Sequence, residues 1–329
     1  MVESRKNIEI GILLYPEAQN AAIHGLSDLF RIANRVSDRQ VATKKSPTLR
    51  ITHWQLSSKK SKKLTRAYDS HPDSGKNSPT IIIIPPSLGD PLTPEQTQPL
   101  TRWLVAQHDA GAALCSVCTG AYLLAETGLL AGRMATTHWT FASEFTKRFP
   151  DIQVDTDQLI IDDGDIVTAG GLMAWTDLGL KIVYRLLGPT IMLETARFMI
   201  LDPPGRQQRY YSNFSPVLHH GDKAILKVQH WLQSRSGRQS DIPAMAKCAG
   251  LEQRTFLRRF RKMTGLKPTE YCQHLRVGKA RAKLQFTNDN VDEIAWSVGY
   301  EDAGAFRKIF QRITGLTPGD YRMRFGQKI

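Results

Sequence analysis

The chain is poor in cysteine, with four thiols at positions 115, 118, 248 and 272 among 329 residues. So few and so scattered, they exclude a disulfide framework and fit a reducing compartment. Cys248 and Cys272 lie on predicted helices in a different part of the chain from Cys115 and Cys118, which leaves no zinc-binding set; neither a metal nor a cofactor is expected. No apolar run reaches the 18 or more residues that a membrane span requires, and the start, Met1-Val2-Glu3-Ser4-Arg5-Lys6-Asn7, lacks an apolar signal region. The expectation is a cytoplasmic protein with no membrane partner.

Acidic residues are scarce in one half only. Residues 1–205 carry 21 basic and 21 acidic side chains, whereas residues 206–329 carry 23 basic and 10 acidic ones, the whole of the net charge of +13. A neutral globule joined to a basic one is the asymmetry of a chain in which one domain meets a polyanion. Nucleic acid is the first candidate, because the arginines fall on helices whose other face is apolar. The bland alternative is a basic, solvated surface.

The basic half contains an internal repeat. Ala246, Gly250, Phe256, Phe260, Thr264, Gly265, Pro268 and Tyr271 recur as Ala295, Gly299, Phe306, Phe310, Thr314, Gly315, Pro318 and Tyr321. A small residue, then Gly, then aromatics four apart reads as helix, turn, helix: the Ala lets two helices approach and the Gly supplies a positive φ. Phe256, Phe260 and Met263, or Phe306, Phe310 and Ile313, form an apolar stripe that reads as core. Arg254, Arg258 and Arg261 lie opposite it in the first copy, and Arg307, Lys308 and Gln311 in the second. The first arginines read as base or phosphate contacts; Arg307 and Lys308, after Asp302-Ala303-Gly304-Ala305, read as phosphate contacts. Glu252 stands at the start of the first recognition helix, where it suits the helix dipole but caps poorly. An amphipathic helix is predicted over 223–234, and one continuous helix over 269–287, long enough at 1.5 Å per residue to span roughly 28 Å.

In the N-terminal half, short apolar runs alternate with helical patterns, the signature of a parallel sheet covered on both faces. The predicted strands are 8–14, 49–56, 80–84, 112–117 and 166–168; the predicted helices are 21–36, 94–107, 119–127, 141–149 and 172–187. The stretch 57–79, with four lysines in 59–63, reads as an exposed loop with no face to bury.

Ala113-Leu114-Cys115-Ser116-Val117-Cys118-Thr119-Gly120-Ala121 reads as a strand turning sharply into a helix with Cys118 at the corner, the Ser-x-Cys-x-Gly form of a nucleophile elbow. The helix N-terminus behind it is expected to lower the thiol pKa, and His138, in Thr136-Thr137-His138-Trp139, is a candidate partner. Against catalysis, Thr119 follows the cysteine, and Gln19-Asn20-Ala21-Ala22 offers no carboxylate. A ligand pocket lined by Cys118, Thr119, His138, Gly170 and Gly171 is therefore expected, with no catalytic residue and Cys118 and His138 as a degenerate pair. Cys115 and Cys118 also match C-x-x-C spacing, but residues three apart on a strand point to opposite faces.

Ile294-Ala295, Val298-Gly299-Tyr300, Phe306, Phe310, Thr314-Gly315, Thr317-Pro318 and Tyr321-Arg322 resemble the signature of AraC/XylS transcriptional regulators. Ser116 to Ala121, Gly128-Leu129-Leu130-Ala131-Gly132 and Ala135-Thr136-Thr137-His138-Trp139 resemble the ThiJ/PfpI, class I glutamine amidotransferase-like fold. Together they are similar to AraC regulators of the GlxA type. The resemblance implies a bacterial transcription factor, usually an activator, whose N-terminal domain senses a metabolite, amino acids and quaternary amines among them. The expected fold is an α/β flavodoxin-like parallel-sheet sandwich followed by an all-α tandem helix-turn-helix domain. The expected boundaries are a sensing domain over 1–200, a linker over 201–221, and a DNA-binding domain over 222–329, with helix-turn-helix units at about 242–263 and 291–313. The partners expected are double-stranded promoter DNA, a small-molecule effector, RNA polymerase and a second copy of the chain. The rival readings are a Cys118-dependent hydrolase or glyoxalase-like enzyme fused to a DNA-binding domain, and a thiol redox sensor.

Overall fold

The computed structural model describes residues 7–40, 47–57, 63–75, 78–89, 93–203, 205–235, 237 and 241–327. Two compact units, 1–208 and 209–329, divide the chain.

The first unit contains β1 (Asn7–Leu13), α1 (Asn20–Gln40), β2 (Thr48–Leu56), β3 (Leu64–Asp69), β4 (Ile81–Ile84), α2 (Pro94–Asp109), β5 (Ala113–Val117) and α3 (Gly120–Ala125). There follow β6 (Met134–Ala135), α4 (Ala142–Arg148), β7 (Gln153–Val154), β8 (Ile160–Asp162), β9 (Ile166–Ala169), α5 (Trp175–Leu187) and α6 (Pro189–Met199). Seven strands form one sheet in the order β3-β2-β1-β4-β5-β9-β8. The five inner strands are parallel and the two edge strands antiparallel. Helices α1, α5 and α6 cover one face through Leu26, Phe30, Leu178 and Ile191; α2, α3 and α4 cover the other through Leu104, Leu124 and Phe145. The all-isoleucine β4 is buried along its length, as a strand covered twice must be. The sheet is a doubly wound, flavodoxin-like one, and its strand order reverses between β1 and β4, the point at which such sheets open a crevice beyond their carboxyl ends.

The stretch 57–79 departs from its reading as a loop with no face to bury. Within it β3 pairs antiparallel with β2 and buries Leu64. Its charges are partnered inside the sheet: Asp69 accepts from Arg50 Nε at 2.9 Å and Nη2 at 2.5 Å, and Arg66 Nη2 donates to Glu9 at 2.8 Å. Arg50 and Glu9 are each 1% exposed. Residues 58–62, with Lys59, Lys60 and Lys62, lie outside the described residues.

The second unit is α7 (Lys223–Ser234), α8 (Ile242–Ala249), α9 (Gln253–Thr264), α10 (Pro268–Phe286), α11 (Val291–Ser297), α12 (Ala303–Thr314) and α13 (Pro318–Phe325). It has two cores rather than one. Ile225, Val228, Met245, Phe256 and Phe260 close around Tyr271 and Cys272 from the start of α10; Ile294, Ala295, Phe306, Phe310 and Tyr321 close around Val277, Ala280 and Leu284 from its later turns. The sequence repeat is a repeat of geometry. Phe260 meets Tyr271 edge-on at 5.3 Å, and Phe310 meets Tyr321 edge-on at 5.5 Å. Gly265 and Gly315 end α9 and α12 at φ 75° and 79°, a left-handed turn that a side chain would strain.

Candidate nucleic-acid interface and sheet-edge pocket

Helix α9 follows α8 across a turn in which Gly250, at φ 65°, ends the first helix. Its apolar face is spent on Phe256 and Phe260, both fully buried. The opposite face turns Arg254, Arg258 and Arg261 to solvent, and among the described residues none of the three has an ion-pair or hydrogen-bond partner. Arg259 behaves differently. It clamps Asp222 at 2.9 and 2.7 Å, and Asp222 in turn caps α7 through the Ala224 and Ile225 N–H groups. Burial alone would raise the Asp222 pKa, but the Arg259 and backbone hydrogen bonds outweigh it and hold the carboxyl below its ordinary range. Arg259 therefore positions α9. Glu252 makes no capping hydrogen bond to α9, leaving that helix end open.

In the second copy α11 and α12 meet across Gly299, at φ 90°. Asp302 caps α12 through the Gly304 N–H at 2.8 Å and the Ala305 N–H at 3.0 Å. Arg307, Lys308 and Gln311 are exposed on its outer face. Arg307 is bound to Asp292 of α11 at 2.5 Å, a partner that the sequence reading did not foresee. Helices α9 and α12 are thus unequal: the first offers three unengaged guanidinium groups, whereas Arg307 of the second is shared with a carboxylate.

The carboxyl ends of β1, β4, β5 and β9 place the second candidate site. Cys118 sits at φ 54°, a left-handed conformation unusual for a non-glycine residue and characteristic of an elbow. Its N–H donates to Ala169 O at 2.7 Å, and its carbonyl accepts from Thr137 Oγ1 at 2.8 Å. Thr119 Oγ1 accepts from the Ser87 N–H at 2.7 Å, tying the elbow to the loop after β4. Gly120 is required by close approach, since a Cβ there would lie 2.6 Å from Ile84 O and 2.8 Å from Pro85 O. The elbow, the Ser87 loop and the Gly170 turn thus share one rim.

The thiol chemistry corrects the sequence reading. The expected depression of the Cys118 pKa is reversed: burial pushes the thiol up to about 11, more than the Thr119 hydrogen bonds pull it down. At six residues, α3 is short, and Cys118 is 3% exposed. Burial, and secondarily Cys118, also push the Tyr15 hydroxyl above the ordinary phenol range; that hydroxyl donates to Pro85 O. His138 does not pair with Cys118 among the described residues. Its Nδ1 accepts from the Thr140 N–H and meets Thr140 Oγ1 at 2.7 Å, and its ring stacks on Trp139. Cys115 and Cys118 are both free and buried.

Sequence reasoning missed Gln208 at this rim, and it read Gln19 only as a position without a carboxylate. Gln208 is 3% exposed; its amide nitrogen donates to Thr137 O at 2.9 Å and Thr156 O at 3.0 Å, and its oxygen accepts from the Trp139 N–H at 2.8 Å. It takes up the space that Gly170 leaves, because a Cβ on Gly170 would lie 2.3 Å from its Nε2. Gln19, between β1 and α1, donates its N–H to Pro86 O, yet its side-chain oxygen is buried with no partner among the described residues. Neither belongs to a motif; only the fold brings them to the rim. Among the described residues no helix is long and apolar enough to cross a membrane, and no His/Cys/Asp/Glu group is arranged to hold a metal.

Comparison with known proteins finds similarity in both halves of the chain. Residues 245–324 match the family model described as a helix-turn-helix domain, and residues 53–185 match that of the DJ-1/PfpI family. The chain is 24% identical over 322 residues to the HTH-type transcriptional regulator GbdR of Pseudomonas aeruginosa (strain UCBPP-PA14), covering 97% of this chain and 85% of that protein. It is 28% identical over 219 residues to the HTH-type transcriptional regulator GlxA of Rhizobium meliloti (strain 1021), covering 66% of this chain and 67% of that protein. Drosophila melanogaster DJ-1beta, 17% identical, superposes with a TM-score of 0.46, covering 60% of this chain and 99% of that one.

Proposed function

We propose, for a chain that joins a DJ-1/PfpI-family domain to an AraC-type helix-turn-helix domain and is a DNA-binding transcriptional regulator, that α9 supplies the sequence reading and α12 mainly the backbone grip. The observation that carries this is the outward face of α9, where Arg254, Arg258 and Arg261 stand exposed and unengaged over a helix whose other side is fully buried. Arg254 and Arg258, one turn apart, suit guanine edges or phosphates, and a good bidentate base contact discriminates by about 1–3 kcal/mol. Arg307 and Lys308 follow small residues at the start of α12 and suit phosphate. The domain boundaries proposed are a sensing domain over 1–200, a connecting segment over 201–221 whose Gln208 packs into the first unit, and the DNA-binding domain from 222.

The DJ-1/PfpI domain binds a small-molecule effector without turning it over, at the rim of Cys118, Thr119, His138, Gly170 and Gly171. The raised thiol pKa and the engagement of His138 with Thr140 support binding rather than catalysis, and the unpartnered Gln19 oxygen offers an acceptor to a ligand N–H or O–H. Dimerisation, contact with RNA polymerase, activation of transcription and residence on the nucleoid complete the proposal. A mobility-shift titration of promoter fragments tests the interface: Arg258→Ala weakens binding by about tenfold or more and relaxes preference at one base position. Unchanged affinity and preference would refute it. An effector that binds the native state raises the unfolding midpoint of the full chain, and Gln19→Leu removes that rise.

A further inference from the structure

We infer that Arg276 is the brace that sets the spacing of the two helix-turn-helix units, and hence the separation of the two DNA segments they read. Helix α10 runs through both cores, with Tyr271 and Cys272 in the first and Val277, Ala280 and Leu284 in the second, so Arg276 falls where one unit ends and the other begins. Its guanidinium reaches to both sides. Nε donates to Gly237 O at 2.8 Å, and Nη1 donates to Gly299 O at 3.1 Å. Gly237 belongs to the turn after α7, its N–H held by Leu232 O at 2.9 Å. Gly299 is the turn of the second helix-turn-helix itself.

Each end of the brace is fixed. Gly237 lies at φ 67° against α10, where a Cβ would sit 2.8 Å from Cys272 O, so its carbonyl is presented by backbone pressed onto the shared helix. On the other side the guanidinium covers the Tyr300 ring at 5.2 Å, and that ring packs at 5.4 Å on Phe306, the first buried aromatic of α12. One side chain therefore links the first unit's frame to the second recognition helix. Arginine suits the task because its donors point in fixed, divergent directions, whereas a lysine ammonium is a single point on a flexible stem. An exposed link, Arg312 Nη2 to Gln273 Oε1 at 2.7 Å, adds to the same joint.

Recognition helices in neighbouring major grooves on one face of B-DNA must lie one helical turn apart, about 10–10.5 base pairs. A rigid joint makes that separation part of specificity; a loosened joint tolerates error in it. This inference rests on the proposal that both units bind one duplex. Its test starts from duplexes that the full-length protein selects from a random-sequence pool. The selected duplex is then remade with one or two base pairs inserted between its two boxes, and with one box scrambled. For the native chain an insertion lowers affinity by about tenfold or more, because the second box is lost. Arg276→Gln reduces that penalty to within about threefold while affinity for the one-box duplex is unchanged, and Arg276→Lys, which keeps the charge, behaves as Arg276→Gln does. Folded variants that retain the native spacing penalty would overturn the brace and leave two-unit binding intact. Selected duplexes with a single box would overturn both.

Discussion

Asp292→Asn is expected to tighten DNA binding, although it lies on α11 and outside both recognition helices. The carboxylate holds Arg307 at 2.5 Å, with 48% and 45% of the two side chains exposed. To reach a phosphate, Arg307 must leave this partner, or else bring it to the phosphate as a repelling charge. Solvent screens an exposed pair of this kind to about 0.2–1 kcal/mol, which corresponds to a gain of roughly 1.4- to 5-fold in affinity on release. A guanidinium freed to contact one more phosphate steepens the dependence of log affinity on log salt by up to about 0.9. Fluorescence anisotropy with one duplex over a series of salt concentrations measures both quantities. Asp292 also stands in the first turn of α11, where its charge suits the helix dipole, so the variant loses about 0.3–1 kcal/mol of stability even as affinity rises. The two effects are separated by thermal unfolding without DNA. Affinity that is unchanged or lower refutes the argument, as does a gain that survives in the double variant with Arg307→Ala.

Three further outcomes follow from the first unit. Asp69→Asn leaves the buried Arg50 with the Gly75 carbonyl at 2.7 Å and, as its one remaining carboxylate among the described residues, Glu9 at 3.9 Å, and destabilises that unit by about 3 kcal/mol in denaturant unfolding. The Arg50 hydrogen bond depresses the Asp69 pKa, so its contribution is complete above the unfolded value near 4 and fades as the pH falls through the lower folded value; the native chain loses stability over that window and the variant loses less. Cys118, with its thiol at about 11 against an ordinary 9.0, reacts with iodoacetamide at pH 8 about a hundredfold more slowly than a free thiol, as followed by mass spectrometry; labelling at the free-thiol rate contradicts the burial argument. Gly120→Ala forces a methyl toward the Ile84 and Pro85 carbonyls and lowers stability by about 1–3 kcal/mol, whereas an unshifted midpoint means the elbow can relax away.

What the sequence made legible was local in origin. The Phe256/Phe260 and Phe306/Phe310 spacings, the glycines that end α8, α9 and α12, and the proline that starts α10 each act within a few residues, so their pattern survives in the one-dimensional string. The same holds for Val117-Cys118-Thr119-Gly120, where strand, strained corner and clearance glycine are consecutive. The parallel strands were readable because burial on both faces leaves an unbroken apolar run, as in Ile81-Ile82-Ile83-Ile84.

The features that escaped are set by partners far away. Leu64 to Asp69 looks like an exposed loop because Arg66 and Asp69 are charged, and only the arrival of Glu9 and Arg50 from the sheet turns those charges into half-buried ion pairs. A helix does begin behind Cys118, at Gly120, but the state of the thiol depends on how much water remains, which the fold and not the motif decides; here burial outweighs the Thr119 hydrogen bonds. Charge alone likewise could not separate Arg259 from Arg258. The two are adjacent on one helix, and Asp222, 37 residues earlier, engages the first and leaves the second to solvent. In a basic helix the arginine free to contact DNA is therefore the one the fold leaves unpaired. Where an acid intervenes, as Asp292 does at Arg307, the proposed DNA contact becomes conditional on breaking an ion pair that lies off α12.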